Sequence, residues 1–119
     1  MFIKDFLRLK AMLNNNLAAC YCHLGKLKEA DTHNTLALID DPEYAKVFLR
    51  QITILEMQAC YSQAVNVANW CIARFNNEYE SDENIKLVPQ FEAIRKRCVK
   101  LIPQEDERRK AILAKEVEN

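Results

Sequence analysis

The sequence predicts an all-α fold built as a stack of antiparallel helix pairs, and three observations carry that prediction. One glycine and three prolines in 119 residues leave little of the punctuation that turns and strands need. The chain resembles itself at a spacing of 34 residues: Ala11 recurs as Ala45 and Ala30 as Ala64. Between these anchors Leu13 maps on Val47, Ala18 on Ile52, Cys20 on Ile54, Tyr21 on Leu55, Leu27 on Tyr61, Ala37 on Cys71 and Leu38 on Ile72. Outside the repeat, Phe91, Ile94, Cys98 and Leu101 keep a three-to-four spacing, the period of one helix face. A period of 34 marks a helical repeat. Each unit cannot bury its apolar face alone, so units stack and leave a concave surface.

The elements follow in order. Met1 to Lys10 mixes Lys4, Asp5, Arg8 and Lys10 with Phe2, Ile3, Phe6, Leu7 and Leu9. No uninterrupted apolar segment of signal-peptide length is present, so no export signal is read there. Its apolar surface exceeds what a lone extension should show, and it is expected to pack on an upstream helix or inside an assembly. A first helix is expected from about Asp5 to Leu24, ended by Gly25, because glycine enters the left-handed cap cheaply. A second runs from Leu27 to Ile39. Asp40-Asp41-Pro42-Glu43 reads as a turn and a helix start, with proline in the first turn and aspartate as the cap. A third helix follows from about Glu43 to Gln58 and a fourth from Tyr61 to Phe75. The two units therefore span about residues 10–42 and 43–76 within a region covering 1–75.

Residues 76–84 (NNEYESDEN) are acidic and aperiodic and read as a loop. Beyond it the register fails, since Tyr61 would map on Arg95 and Phe48 on Asp82. Residues 85–119 are expected to form a C-terminal capping segment. Pro89 starts or kinks a helix there and Pro103 interrupts it. The tail from Gln104 reads as a solvated terminal helix. Tyr21, Phe48, Trp70 and Phe75 are read as core.

Composition narrows the function. Lys plus Arg equals Asp plus Glu, 17 each, so no global charge points to nucleic acid or an anionic membrane. No apolar run approaches the ~20 residues that span a bilayer. The five cysteines form no CxxC pair, which fits reduced thiols in a cytosol-like, cytoplasmic setting. Cys20 and Cys22 point apart on a helix, and His23 and His33 lack a metal-site pattern, so neither metal nor cofactor is expected. There is no Ser-His-Asp arrangement, glycine-rich phosphate loop or paired-carboxylate signature. A cysteine with His23 or His33 is the one nucleophile pairing on paper. The repeat puts His33 on an outer helix, away from Cys98. The expectation is a binding protein, not an enzyme.

Leu17 to Arg50 carries small and aromatic residues at the spacing of a known repeat: Ala18, Tyr21, Gly25, Ala30, Ala37 and Pro42. The stretch resembles a tetratricopeptide repeat (TPR). The second copy keeps Tyr61, Ala64 and Cys71 but has Ile52 and Ala59 at small-residue positions and no terminal proline. The resemblance covers about Lys10 to Phe75 and implies a right-handed superhelical stack. Within that family the chain looks like the co-chaperone subset, which includes the large immunophilins. There an Asn on one first helix, and a Lys and Arg four apart on the next, hold an extended peptide ending in Glu-Glu-Val-Asp, the tail of Hsp90 and Hsp70. Asn16 (in NNNLAACY) matches the Asn, and Lys46 and Arg50 (in AKVFLR) match the Lys and Arg. The Lys and Asn of a preceding repeat have no counterpart here, so that half of the clamp is expected to be missing or to lie outside this stretch.

The residue types suit the task. Lys46 and Arg50 are one turn apart and share a face. Arginine offers a planar fork to a carboxylate, and lysine a mobile charge. Asn16 both donates and accepts. Each charge-assisted hydrogen bond contributes about 1.5–3 kcal/mol, which suits a micromolar complex near about −8 kcal/mol. Ala19, His23, Leu49, Thr53 and Met57 share these faces and are candidates for the groove floor; for Leu49 and Met57 packing against an adjacent helix is the competing expectation. The alternative function is a scaffold that grips a different partner in a larger assembly.

Overall fold

The structure, a computed structural model, describes residues 2–118. Among the described residues seven helices follow one another: α1 Phe2–His23, α2 Leu27–Asp40, α3 Ala45–Met57, α4 Tyr61–Phe75, α5 Asp82–Ile85, α6 Val88–Val99 and α7 Ile102–Glu118. No strand occurs among the described residues. Helix α1 packs against α2 and α3, and α3 also against α2, α4 and α6. Helix α6 lies mainly on α4.

The 34-residue period is physical as well as sequential. Ala11, Ala18, Ala30 and Ala37 are fully buried, and so are their counterparts Ala45, Ile52, Ala64 and Cys71. Small residues at these contacts let helices approach closely, so the spacing of the pair is set by backbone contact rather than by large side chains. The helix ends repeat too. Gly25 closes α1 at φ +72; the Lys26 amide donates to the Tyr21 carbonyl at 2.9 Å and the Gly25 amide to that of Cys22 at 3.0 Å. Thirty-four residues on, Ala59 closes α3 at φ +59 with the same pair of bonds, Cys60 to Leu55 at 2.8 Å and Ala59 to Glu56 at 3.0 Å. Both are double-bonded left-handed caps.

The main core lies where α3, α4 and α6 meet. It contains Ile52, Ala64, Ala68, Cys71, Phe75, Phe91 and Cys98. Phe75 and Phe91 stack at 6.2 Å. Trp70, expected in this core, is instead 51% exposed. It lies over Phe48 at 5.1 Å and edge-on to Phe75 at 6.3 Å, covering the core from outside. The large indole is accommodated at the margin because Ala64, Ala68 and Cys71 take the inward positions of α4. Phe48 and Tyr21 are half-buried.

Three boundaries differ from expectation. Helix α1 starts at Phe2, three residues before Asp5. Pro42 lies in the turn ahead of α3 rather than within it, and Asp41 accepts from the Glu43 amide at 3.2 Å instead of capping the helix. The acidic segment is shorter than expected, because residues 82–85 form the single turn α5. That turn carries the missing cap. Asn84 is 3% exposed; its Oδ1 accepts from the Ala45 amide at 3.0 Å, and its Nδ2 donates to the Glu43 carbonyl at 2.8 Å and to Glu80 at 2.6 Å. Arg74 holds Glu80 from the other side at 2.8 Å. The first two turns of α7 perform a similar task. Buried Glu105 accepts from the Ser62 amide at 2.9 Å, and Arg108 donates to the Ala59 carbonyl at 3.0 Å. An acid thus meets the N-terminus of α4 and a base the C-terminus of α3, each of the sign the helix dipole favours. Pro89 and Pro103 both sit in first turns, where a missing amide costs nothing.

Candidate carboxylate-binding face

Helices α1 and α3 touch directly, so the residues picked out on them occupy neighbouring helices. The run Asn14-Asn15-Asn16 is divided three ways. Asn14 faces α2 and bonds His33 Nδ1 at 3.0 Å, and that ring stacks on Tyr21 at 5.3 Å. Asn15 is buried, with its Oδ1 unpartnered. Asn16 is exposed. Steps of 100° per residue enforce this division, and of the three it leaves Asn16 as the solvent-facing amide.

Helix α3 has two basic residues, Lys46 and Arg50, and one acid, Glu56. Glu56 is engaged elsewhere. Arg97 of α6 grips it at 2.5 and 2.8 Å. The hydrogen bond from Arg97 holds the Glu56 carboxyl below its ordinary range, against the opposing pull of burial. Lys46 is exposed and Arg50 half-buried. Neither forms an ion pair among the described residues. The Nε of Arg50 is buried without a partner. Four residues of helix separate the two cations by about 6 Å of rise, a spacing that suits one carboxyl terminus or two neighbouring carboxylates.

Other basic groups nearby are already committed. Arg8 pairs with Asp41 and, at 3.4 Å, with Glu83, and its guanidinium lies 4.2 Å from the centre of the Tyr44 ring. Lys10 reaches Asp40 at 3.7 Å. Positive charge on α3 is left uncompensated while that on the adjacent part of α1 is neutralised.

The expected groove floor divides. Ala19 is half-buried, and His23 and Met57 are exposed. Leu49 packs against the α3–α4–α6 core, so its side chain is largely a core element. Thr53 spends its hydroxyl on the Leu49 carbonyl at 2.8 Å. Asn84 and Glu105, the two polar residues that organise the helix ends, carry no local sequence signal, because their partners lie about 40 residues away.

No grouping of three His, Cys, Asp or Glu side chains suited to a metal occurs among the described residues. Burial pushes the Cys71 thiol up to about 12, and burial together with the nearby Glu56 charge pushes Cys98 up to about 11; both are poor nucleophiles at neutral pH. No helix among those described is long and apolar enough to cross a membrane. Comparison with protein-family models, curated proteins and solved structures gives no match.

Proposed function

We propose that this chain is a protein–protein interaction module of the TPR type, its helix pairs winding as a right-handed superhelix. It takes the acidic C-terminal tail of Hsp90 or Hsp70 through Asn16, Lys46 and Arg50, as a co-chaperone or part of one. The observation that supports this reading is the pair of cations on α3, one turn apart and without an ion pair among the described residues, together with a solvent-facing Asn on the neighbouring helix α1. Arg50 offers its guanidinium to the terminal carboxylate, Lys46 supplies the second charge, and Asn16 bonds the peptide main chain. The three groups form half of a clamp. Affinity from this half is in the micromolar range, because each charged bond must first offset the ordering of an extended peptide.

The test is titration of a fluorescent peptide ending in Glu-Glu-Val-Asp, with its amidated twin, into the chain and into a Lys46→Ala/Arg50→Ala variant. The reading expects micromolar binding that is lost on amidation and on mutation. Equal binding of both peptides, or none of either, refutes it.

A second reading, a scaffold subunit for another partner, is favoured by one observation: Phe2, Ile3, Phe6 and Leu9 are all more than half exposed. Dependence on a free C-terminal carboxylate separates the two, since only the first requires it.

A further inference from the structure

The period of 34 residues makes each surface of α1 comparable with the same surface of α3. On α3, Val47 is fully buried against Ala11 of α1 and Ala37 and Leu38 of α2. Ile54 is 1% exposed, among Tyr21, Cys22 and Ala30 of the same two helices. This face of α3 is the one covered by the preceding helix pair. Its counterparts on α1 are Leu13 and Cys20, and both are open: Leu13 is 57% exposed and Cys20 is exposed. Phe2, Phe6, Leu9 and Leu17, exposed at 85, 64, 54 and 45%, extend that face at helical spacing. The result is a continuous apolar stripe about 27 Å long. Soluble chains seldom leave such a stripe uncovered.

The internal interface tells what would cover it. The operation that carries α1–α2 onto α3–α4, applied in reverse, sets another helix pair on α1, with its second helix against Leu13, Leu17 and Cys20. We propose that the outward face of α1 is the docking surface for a helical hairpin from a partner unit. That hairpin presents small residues at the contact, as Ala11, Ala30 and Ala37 do within this chain. The stripe runs two turns past the point where α3 begins in the repeat, since Ala11 corresponds to Ala45. The docked helix is therefore about 18 residues long, longer than α2. The inference does not depend on the carboxylate-binding proposal, because it rests on the apolar stripe alone; Asn16 stands at the edge of that stripe, three residues after Leu13 and four before Cys20.

The test uses the chain's own first pair as the probe, placed in register. A chain made of residues 1–41 followed by residues 8–119 inserts one 34-residue unit ahead of the inner copy of α1. The outer Cys20 is replaced (Cys20→Ser), so that one Cys20 remains, and its labelling is read apart from that of the other cysteines by peptide mass spectrometry. We expect the inner Cys20 to react with a maleimide at least about tenfold more slowly than Cys20 of the parent. We also expect Leu13→Ala at the inner position to shift the unfolding equilibrium by at least about thirtyfold, as for a buried leucine, against less than about threefold in the parent. Adding two alanines at the junction breaks register and should abolish both effects. Unchanged Cys20 reactivity, separate unfolding of the added unit, or equal effects in and out of register would overturn the proposal. So would sedimentation of the parent as a dimer with Cys20 protected, which would assign the stripe to a second copy.

Discussion

Replacing Ala59 by glycine should stabilise this protein, although it removes a methyl group and adds no contact. Ala59 closes α3 at φ +59 and is the one non-glycine residue with positive φ among those described. Left-handed backbone costs an L-residue about 1–2 kcal/mol. Glycine avoids that but loses about 0.4–1 kcal/mol through the greater freedom of the unfolded chain. The difference leaves Ala59→Gly more stable by about 0.5–1 kcal/mol, or about 2–4 °C in Tm for a domain of this size. None of the cap bonds uses the Ala59 side chain: Cys60 to Leu55 and Ala59 to Glu56 are main-chain, and the Arg108 guanidinium donates to the Ala59 carbonyl, so the substitution leaves them in place. Gly25 supplies the mirror experiment within the same molecule. A β-carbon there would meet nothing within 4 Å, so Gly25→Ala should cost about as much as Ala59→Gly gains, for the same backbone reason. Urea unfolding followed by circular dichroism reads both. An Ala59→Gly variant equal to or weaker than the parent, with Gly25→Ala destabilised as expected, would refute the reasoning at position 59 and point to a contact made by its methyl group.

Asn84→Ala should destabilise the fold by about 2–3 kcal/mol, since it leaves the Ala45 amide and the Glu43 carbonyl without their partner; denaturant titration of the variant checks it. Glu56, Glu80 and Glu105 have their carboxyls held low in the folded state, first by the hydrogen bonds from Arg97, Asn84 and the Ser62 amide respectively. A depressed folded value means that the unfolded chain binds protons first. Their stabilisation is therefore present above the ordinary carboxyl range and is lost as pH falls through the folded values. Glu105→Gln should flatten the slope of stability below about pH 4.5, read from Tm across pH 3–6. In the native chain Cys20 should react with a maleimide well before Cys71 and Cys98, which are buried; equal labelling rates by mass spectrometry would show that the α3–α4–α6 core opens readily.

How much of this was legible beforehand depends on how far apart the partners are. Helix order, the Gly25 stop and the small-residue contacts at Ala11, Ala18, Ala30 and Ala37 follow from local spacing and a repeat, so the sequence displays them directly. Lys46 and Arg50 were legible as a pair because four residues make one turn. That both stay without an ion pair among the described residues was not, since it depends on which acids the packed helices bring within reach. Trp70 was misread because hydrophobicity alone does not say which side of α4 the three small residues would turn inward.

The sequence by itself determined an all-helical chain with a 34-residue period, its first two helix pairs and the apolar excess of its N-terminal segment. These are properties of nearest neighbours and of periodicity, which linear order records. Only the tertiary structure decided that Asn84 caps α3, that Glu105 and Arg108 seal the α3–α4 turn, and that α6 completes the core out of register. It also decided that Leu13 stands open where Val47 is covered. Each of those is a contact between segments tens of residues apart, and its energy depends on a burial and a bond geometry that exist only once the helices have packed.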